Sequence, residues 1–266
     1  MALNMASNLD TLHSTVVNLA VEDNSKVFSG LNRAIHAQVL TWLKKGKPEI
    51  SALIHNSQQS PISISELIKK TNFPITKSGN RTETNRLFFK VNFLQGYLLP
   101  ILLKGIETER EIFLDNRKFM IIGVDTLPSL DSQAKLATYK ELINNSNFCS
   151  KINLKFISPT SFKHNGCIQP FPLPELVFSN LLRRWNSFAP AEYHFPKVEW
   201  RGMTAAYDLK TEVIKKEVTE IGSVGWVKYE FKDKEQARIA TILANFANFS
   251  GVGRKTALGM GRVYFS

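Results

Sequence analysis

The densest chemistry in this sequence sits in the stretch Gly251–Gly261, GVGRKTALGMG. Four of the 14 glycines are here, at Gly251, Gly253, Gly259 and Gly261, and Arg254, Lys255 and Arg262 bring positive charge to the same place. Glycine reaches backbone conformations closed to other residues and lets a ligand approach the main chain. Successive amide N–H groups in such a loop can form an anion-binding concavity. The simplest ligand for that combination is a phosphate backbone. The stretch is not a nucleotide-cofactor loop. A Walker loop needs GxxxxGK followed by Ser or Thr, whereas Gly253 and Gly259 have the wrong spacing and Met260 follows Gly259. A GxGxxG fingerprint fails at Thr256. The plain structural alternative is a tight glycine turn joining a helix to an edge strand, but turning alone does not require cations inside the loop.

The elements around the loop are legible. Asp233 and Gln236 have capping-box spacing, and Ala237–Phe249 reads as the helix that delivers the chain to Gly251. RVYF after the loop reads as a short strand. Further back, Gly222–Phe231 alternates, with Trp226, Lys228 and Glu230 on one side and Val227, Tyr229 and Phe231 on the other. Pro174 opens a helix, LPELVFSNLLRRWNSF, that carries Arg183 and Arg184 towards its end. Lys151–Ile157 reads as a strand, and Pro159–Pro172 as a long loop holding Lys163, His164 and Cys167. Val198–Leu209 and Val213–Val218 are read as separate extended segments.

The first half has a similar order. Leu12–Val21 is rich in β-branched residues and predicts a strand. Apolar residues at 31, 35, 39, 42 and 43 predict a helix that stops near Lys44 and Lys45, where the dipole favours cations. A short helix, EISALIH, follows Pro48 and ends near His55; Leu87–Phe93 is a strand, and Leu94–Leu103 a further helix. Residues 111–124 read as two strands around Asp115–Asn116. Residues 76–86 form a polar loop in which Lys77, Arg81 and Arg86 could clamp a strand or simply stay solvated, and residues 128–150 are mixed and polar. Two βαββαβ-like halves, divided near residue 145, are expected from element order, with helices on one face of each antiparallel sheet.

Composition sets the class of partner. The chain has 266 residues, enough for one large domain or two ordinary ones, and 43% of them are hydrophobic. Its net charge is +11, from 34 basic and 23 acidic residues, which favours a polyanion. Cys149, Cys167 and the five histidines show no zinc spacing, so no metal or cofactor is expected. No apolar run approaches a membrane span, and the polar start of the chain lacks a signal-peptide core. The expected setting is cytoplasmic, with reduced thiols and no membrane partner.

These motifs carry a resemblance. GVGRKTALGMG followed by RVYF is similar to the terminal glycine-rich loop of the CRISPR-associated endoribonucleases that process repeat RNA, within the repeat-associated mysterious protein superfamily. FISPTSFK, LPELVFSNLLRRWN, GWVKYEF, GLNRAIHAQVLTWL and ISALIH extend the likeness over most of the chain. The resemblance implies two tandem ferredoxin-like (RRM-like) domains, 1–145 with the catalytic residues and 146–266 with the glycine-rich loop. It implies an α+β protein that binds CRISPR repeat RNA, as monomer or homodimer, and cuts it without a metal to release guide RNAs. CRISPR effector-complex subunits are implied as further partners. A non-catalytic RNA-binding subunit of such a complex is the alternative, and a structural module with a basic face for an acidic protein is a third.

Metal-free cleavage uses the RNA's own 2′-hydroxyl, leaving a 2′,3′-cyclic phosphate and a 5′-hydroxyl. Histidine suits the base or the acid role because its pKa lies near neutrality. The resemblance points to His36 and His55 as catalytic, without assigning which is base and which acid. The plain alternatives are a helix-flank histidine and a solvated helix cap. The sequence departs from the family pattern where some members carry a catalytic tyrosine, having Leu40 there, and NSQQS at 56–60 lacks the family's lysine. Arg254, Lys255 and Arg262, with Gly251, Gly253, Gly259 and Gly261, are the RNA-contact candidates. Lys163, Arg183 and Arg184 join them, although a basic pair at a helix end also fits a solvated face.

Overall fold

A computed structural model describes residues 9–21, 30–57, 59–70, 85–146, 148–214 and 219–265. Lys77 and Arg81 lie outside the described residues, as do residues 215–218 of one expected strand.

The first sheet is built on β1, Thr11–Val21. Its neighbours are β4, Asn85–Phe93, and β6, Arg117–Asp125, both antiparallel. β2, Ile62–Ile64, and β3, Ile68–Lys69, both pair with β4, and β5, Glu111–Leu114, extends β6. The path runs β2-β4-β1-β6-β5. The β5–β6 turn is the expected one: Asp115 and Asn116 have φ of 52° and 62°, the left-handed values that a two-residue hairpin turn needs. Three helices cover one face: α1, Asn32–Gly46; α2, Pro48–Asn56; and α3, Leu98–Ile106. Ile35, Val39, Trp42 and Leu43 of α1 are buried with Val17, Leu19, Phe89 and Val91 of the sheet, as their 3.6-residue and two-residue periods require.

The mixed region after β6 is more ordered than its composition suggests. β7, Lys135–Thr138, pairs with the first half of β1, and α4, Tyr139–Asn145, follows. Thr138 Oγ1 accepts from Glu141 N at 3.0 Å, and Glu141 Oε2 accepts from Thr138 N at 2.7 Å. That reciprocal pair is a capping box, and TYKE was its sequence signal.

The second sheet has the order β11-β12-β8-β13, all antiparallel: β8 is Lys151–Thr160, β11 Met203–Ile214, β12 Glu220–Glu230 and β13 Val263–Tyr264. The long loop expected over Pro159–Pro172 instead contains a hairpin, β9, Phe162–His164, and β10, Cys167–Gln169. Its turn is Asn165–Gly166, with φ of 49° and 79°. α5, Pro174–Phe188, and α6, Lys234–Ser250, pack on one face. Asp233 caps α6 by accepting from Gln236 N at 2.8 Å, as the spacing predicts. Phe178, Trp185, Tyr229, Phe231 and Phe246 fill the core between them, and Phe178 meets Tyr229 edge-on at 5.4 Å.

In each sheet the four principal strands lie in the spatial order second, third, first, fourth, with helices after the first and third. The protein is therefore α+β, with ferredoxin-like connectivity. A buried polar bond joins the two halves: Ser63 Oγ donates to Phe249 O at 2.7 Å, and within the first half Asn92 Nδ2 donates to Ser63 Oγ at 2.8 Å and the Tyr139 hydroxyl to Leu94 O at 2.9 Å. Leu12, Leu94 and Tyr139 contribute to the core of the second half. No described helix is long and apolar enough to cross a membrane.

The crossing of α1 and α3 depends on glycine. A Cβ on Gly105 would lie 2.0 Å from the Trp42 carbonyl oxygen. Gly105→Ala should therefore cost about 3 kcal/mol, the upper end of overpacking penalties. Urea unfolding should show this as a lower midpoint with an unchanged slope.

Candidate functional site

α6 ends at Gly251, and the chain then folds back on itself. Val252 N donates to Gly261 O at 2.8 Å, closing the glycine-rich stretch at its base. Gly261 N donates to Pro159 O at 3.1 Å, Arg254 N to Ser161 O at 2.9 Å and Gly253 N to Asn180 Oδ1 at 2.8 Å. Gly251 N bonds Ala247 O and Gly259 N bonds Thr256 O, across a 3-10 turn at Thr256–Leu258. The amides of all four glycines are thus donated inside the protein. The successive amides of Lys255, Thr256 and Ala257 are not among these bonds. Asn180 of α5, which receives Gly253, was not singled out by the sequence.

The far side of the stretch rests on the first half of the protein. Gly259, with φ +81°, sits so close to α1 that a Cβ there would lie 2.4 Å from Asn32 Nδ2. Ala257 packs against the core of the first half. Asn32 and His36 are one helical turn apart on one face of α1, so the glycine stretch meets the helix beside the turn that carries His36. His36 is half-buried. His55 is the penultimate residue of α2; its side chain lies outside the described part of the structure. Ser57, Gln59 and Ser60, which follow it, do reach the site.

They line a cleft of about 850 Å³ together with Phe162, Lys163, His164, Arg183, Arg184, Arg254 and Lys255. α5 supplies Arg183 from an exposed position, and the unexpected β9–β10 hairpin supplies Lys163 and His164. An Asn-Gly pair between short extended runs was the available signal for that hairpin.

Two of the cations here share one internal carboxylate. Arg254 Nη1 lies 3.0 Å from Glu220 Oε2, and Lys255 Nζ bonds the other oxygen. The hydrogen bond from Lys255, helped by Arg254, holds the Glu220 carboxyl below its usual range. Arg184 differs from its neighbour Arg183. It is only 6% exposed, and its guanidinium bonds Thr256 Oγ1 at 2.7 Å and Ser60 O at 3.2 Å. An exposed basic pair at a helix end is therefore wrong for Arg184, because α5 turns it inward.

Arg262 is not in the cleft. It pairs with Glu66 at 2.7 Å, beside Lys90 and Lys135. Lys135 sits over the Tyr264 ring, 5.5 Å from its centre. Of the histidines left out of the chemistry, His194 Nε2 lies 3.0 Å from Ala189 O, and burial pushes His13 down from its ordinary pKa.

Comparison with known proteins gives a consistent picture. Residues 154–263 match the family model of the CRISPR-associated endoribonuclease Cas6. No curated protein matches the sequence significantly. Among solved structures, a Cas6 product complex is 24% identical with a TM-score of 0.75, covering 96% of this chain and 99% of that one. A second Cas6 product complex is 20% identical with a TM-score of 0.78, covering 97% and 100%. Thermus thermophilus Cas6 is 20% identical with a TM-score of 0.67, covering 96% and 99%. The second half thus resembles the Cas6 family model, and the chain shares the fold of these structures along nearly all its length.

Burial first, and then the charges of Lys135 and Arg262, push the Lys90 ammonium down to about 8 from 10.5. Below about pH 8 both folded and unfolded states carry the proton and the burial penalty is complete. Between about 8 and 10.5 the unfolded state binds more protons, so this group's contribution to stability rises with pH. Lys90→Met should raise Tm at pH 7, and the gain should shrink as the pH of the melt approaches 10.5.

Proposed function

We propose that this chain, homologous through residues 154–263 to the CRISPR-associated endoribonuclease Cas6 family, cleaves CRISPR repeat RNA within a precursor transcript to release guide RNAs. The observation that carries this reading is the seating of the cationic glycine stretch on the start of the His36 helix, beside a basic cleft that the chain enters on leaving the His55 helix. The proposed organisation is two RRM-like units, 1–145 and 146–266, supported by the shared strand order of the two sheets. The setting is cytoplasmic, the RNA product can pass to an effector complex, and the protein works as a monomer or homodimer.

In this reading Arg254, Lys255, Arg183 and Lys163 bind backbone phosphates of the RNA in the cleft. Arg262 binds the strand where it leaves. Gly251, Gly253, Gly259 and Gly261 act by shaping the turn that presents these cations. His36 and His55 divide the acid and base work on one linkage. One removes the proton from the 2′-hydroxyl, which attacks the adjacent phosphorus. The other protonates the departing 5′-oxygen. A fixed cation from the cleft offsets the charge that builds on the phosphorane. The products are a 2′,3′-cyclic phosphate and a 5′-hydroxyl, and no metal takes part. One of the structures with this fold is a histidine-to-alanine variant of a Cas6 protein. Leu40 and the lysine-free segment 56–60 leave the two histidines to act without a tyrosine or lysine from those positions.

The decisive test is incubation with repeat RNA in excess chelator, beside the same RNA carrying a 2′-deoxy sugar at the cut. The first should be cut once per repeat and the second bound but left intact. His36→Ala with His55→Ala should abolish cleavage and retain binding; a fully active double variant would remove the histidine mechanism. Binding without cleavage by the unaltered protein would instead assign it as a non-catalytic RNA-binding subunit. Indifference between RNA and other polyanions would assign a basic docking module.

The phosphate role has its own readout. For single-stranded RNA each phosphate contact adds about 0.7 to the slope of log K against log salt. Arg254→Ala should reduce that slope by about this amount and weaken all RNA sequences about equally.

A further inference from the structure

Arg184 is a charge with no counter-charge. Its guanidinium is enclosed, and among the described residues no carboxylate pairs with it. Burial lowers it only to about 10, so it stays charged at neutral pH. Enclosing an unpaired charge is costly, and an apolar side chain of similar length would fill the space without that cost. What an apolar side chain lacks is a planar fork of directed donors. Arg184 uses the fork on two oxygens from distant parts of the chain, Thr256 Oγ1, 72 residues on, and Ser60 O, 124 residues back.

Those two oxygens belong to the two segments that the cleavage reading must hold together. Thr256 opens the 3-10 turn next to Arg254 and Lys255. Ser60 belongs to the segment that leaves α2. There the Ser57 hydroxyl lies 2.9 Å from Ile54 O and 2.8 Å from Gln59 O, tying that segment to the last turn of the His55 helix. We propose that Arg184 is a positioning residue for RNA cleavage, its guanidinium fixing the segment that leaves the His55 helix against the turn that carries Arg254 and Lys255. It reaches the chemistry through these two segments, and its neighbour Arg183, exposed in the cleft, is the one that meets RNA. The inference rests on the cleavage reading for its activity arm and on the joint alone for its structural arm.

The test compares Arg184→Met and Thr256→Val with Thr256→Ser, which keeps the accepting oxygen. Single-turnover cleavage at saturating protein should fall about a hundredfold for Arg184→Met and about tenfold for Thr256→Val, the scale of an active-site displacement near 1 Å. Thr256→Ser should cut at the unaltered rate. Affinity for the 2′-deoxy repeat RNA should change by no more than about twofold. Amide hydrogen exchange should quicken in Leu258–Gly261 and in Ser60–Ile62 together, while α6 keeps its protection. An unchanged rate in either folded variant overturns the proposal. A joint fall of rate, affinity and Tm overturns it too, since it marks a purely structural role. If the unaltered protein binds repeat RNA without cutting it, the cleavage reading fails separately. Exchange then decides: loosening of both segments keeps Arg184 as the tie between them, and loosening of one or neither removes it.

Discussion

The C-terminal turn is closed by its own main chain, and much else follows from that closure. Val252 and Gly261 bond across its base, and Pro159, Ser161 and Asn180 take up the neighbouring amides. A buried amide must find a partner, and here the partners lie at the end of β8 and on α5. The glycines let this tight ring form against the first half of the protein, with Gly259 against Asn32. The glycines' amides are used up in making the joint, so the glycines act by shaping the turn that holds out its neighbouring side chains.

Those side chains are ordered before any ligand arrives. Glu220 holds Arg254 and Lys255, and Glu66 holds Arg262. Partly exposed pairs of this kind add little stability, but they keep long flexible side chains near one geometry. Under the proposed function, an RNA phosphate entering the cleft would exchange one carboxylate for another anion, so affinity would come from the number of cations assembled. The net charge of +11 supplies the long-range attraction, and Lys90 and Lys135 extend the basic surface on the Arg262 side.

The likeness to Cas6 is unevenly spread. Its sequence signal lies in residues 154–263, which hold α5, β12 and the glycine stretch. The fold likeness runs along nearly the whole chain at 20–24% identity. The candidate histidines lie in the first half, where the fold likeness continues without a match to the family model. A scaffold built on strand order tolerates such divergence, because ferredoxin-like packing asks only for apolar residues at the right period.

Period and turn chemistry made most of the fold legible in the sequence. The alternation in β12, the apolar spacing of α1, the Asp115–Asn116 turn and the Asp233 cap are local properties, decided by residues within a few positions of one another. β7, α4 and the β9–β10 hairpin were hidden by mixed composition, although Thr138 with Glu141 and Asn165–Gly166 were signals for two of them. The site was legible only as an inventory of glycines, cations and histidines. Whether an amide is spent or offered, whether Arg184 faces outward or inward, and which carboxylate meets which cation depend on partners up to 124 residues away. Those pairings are set by how the two sheets stack, and no local pattern carries that information.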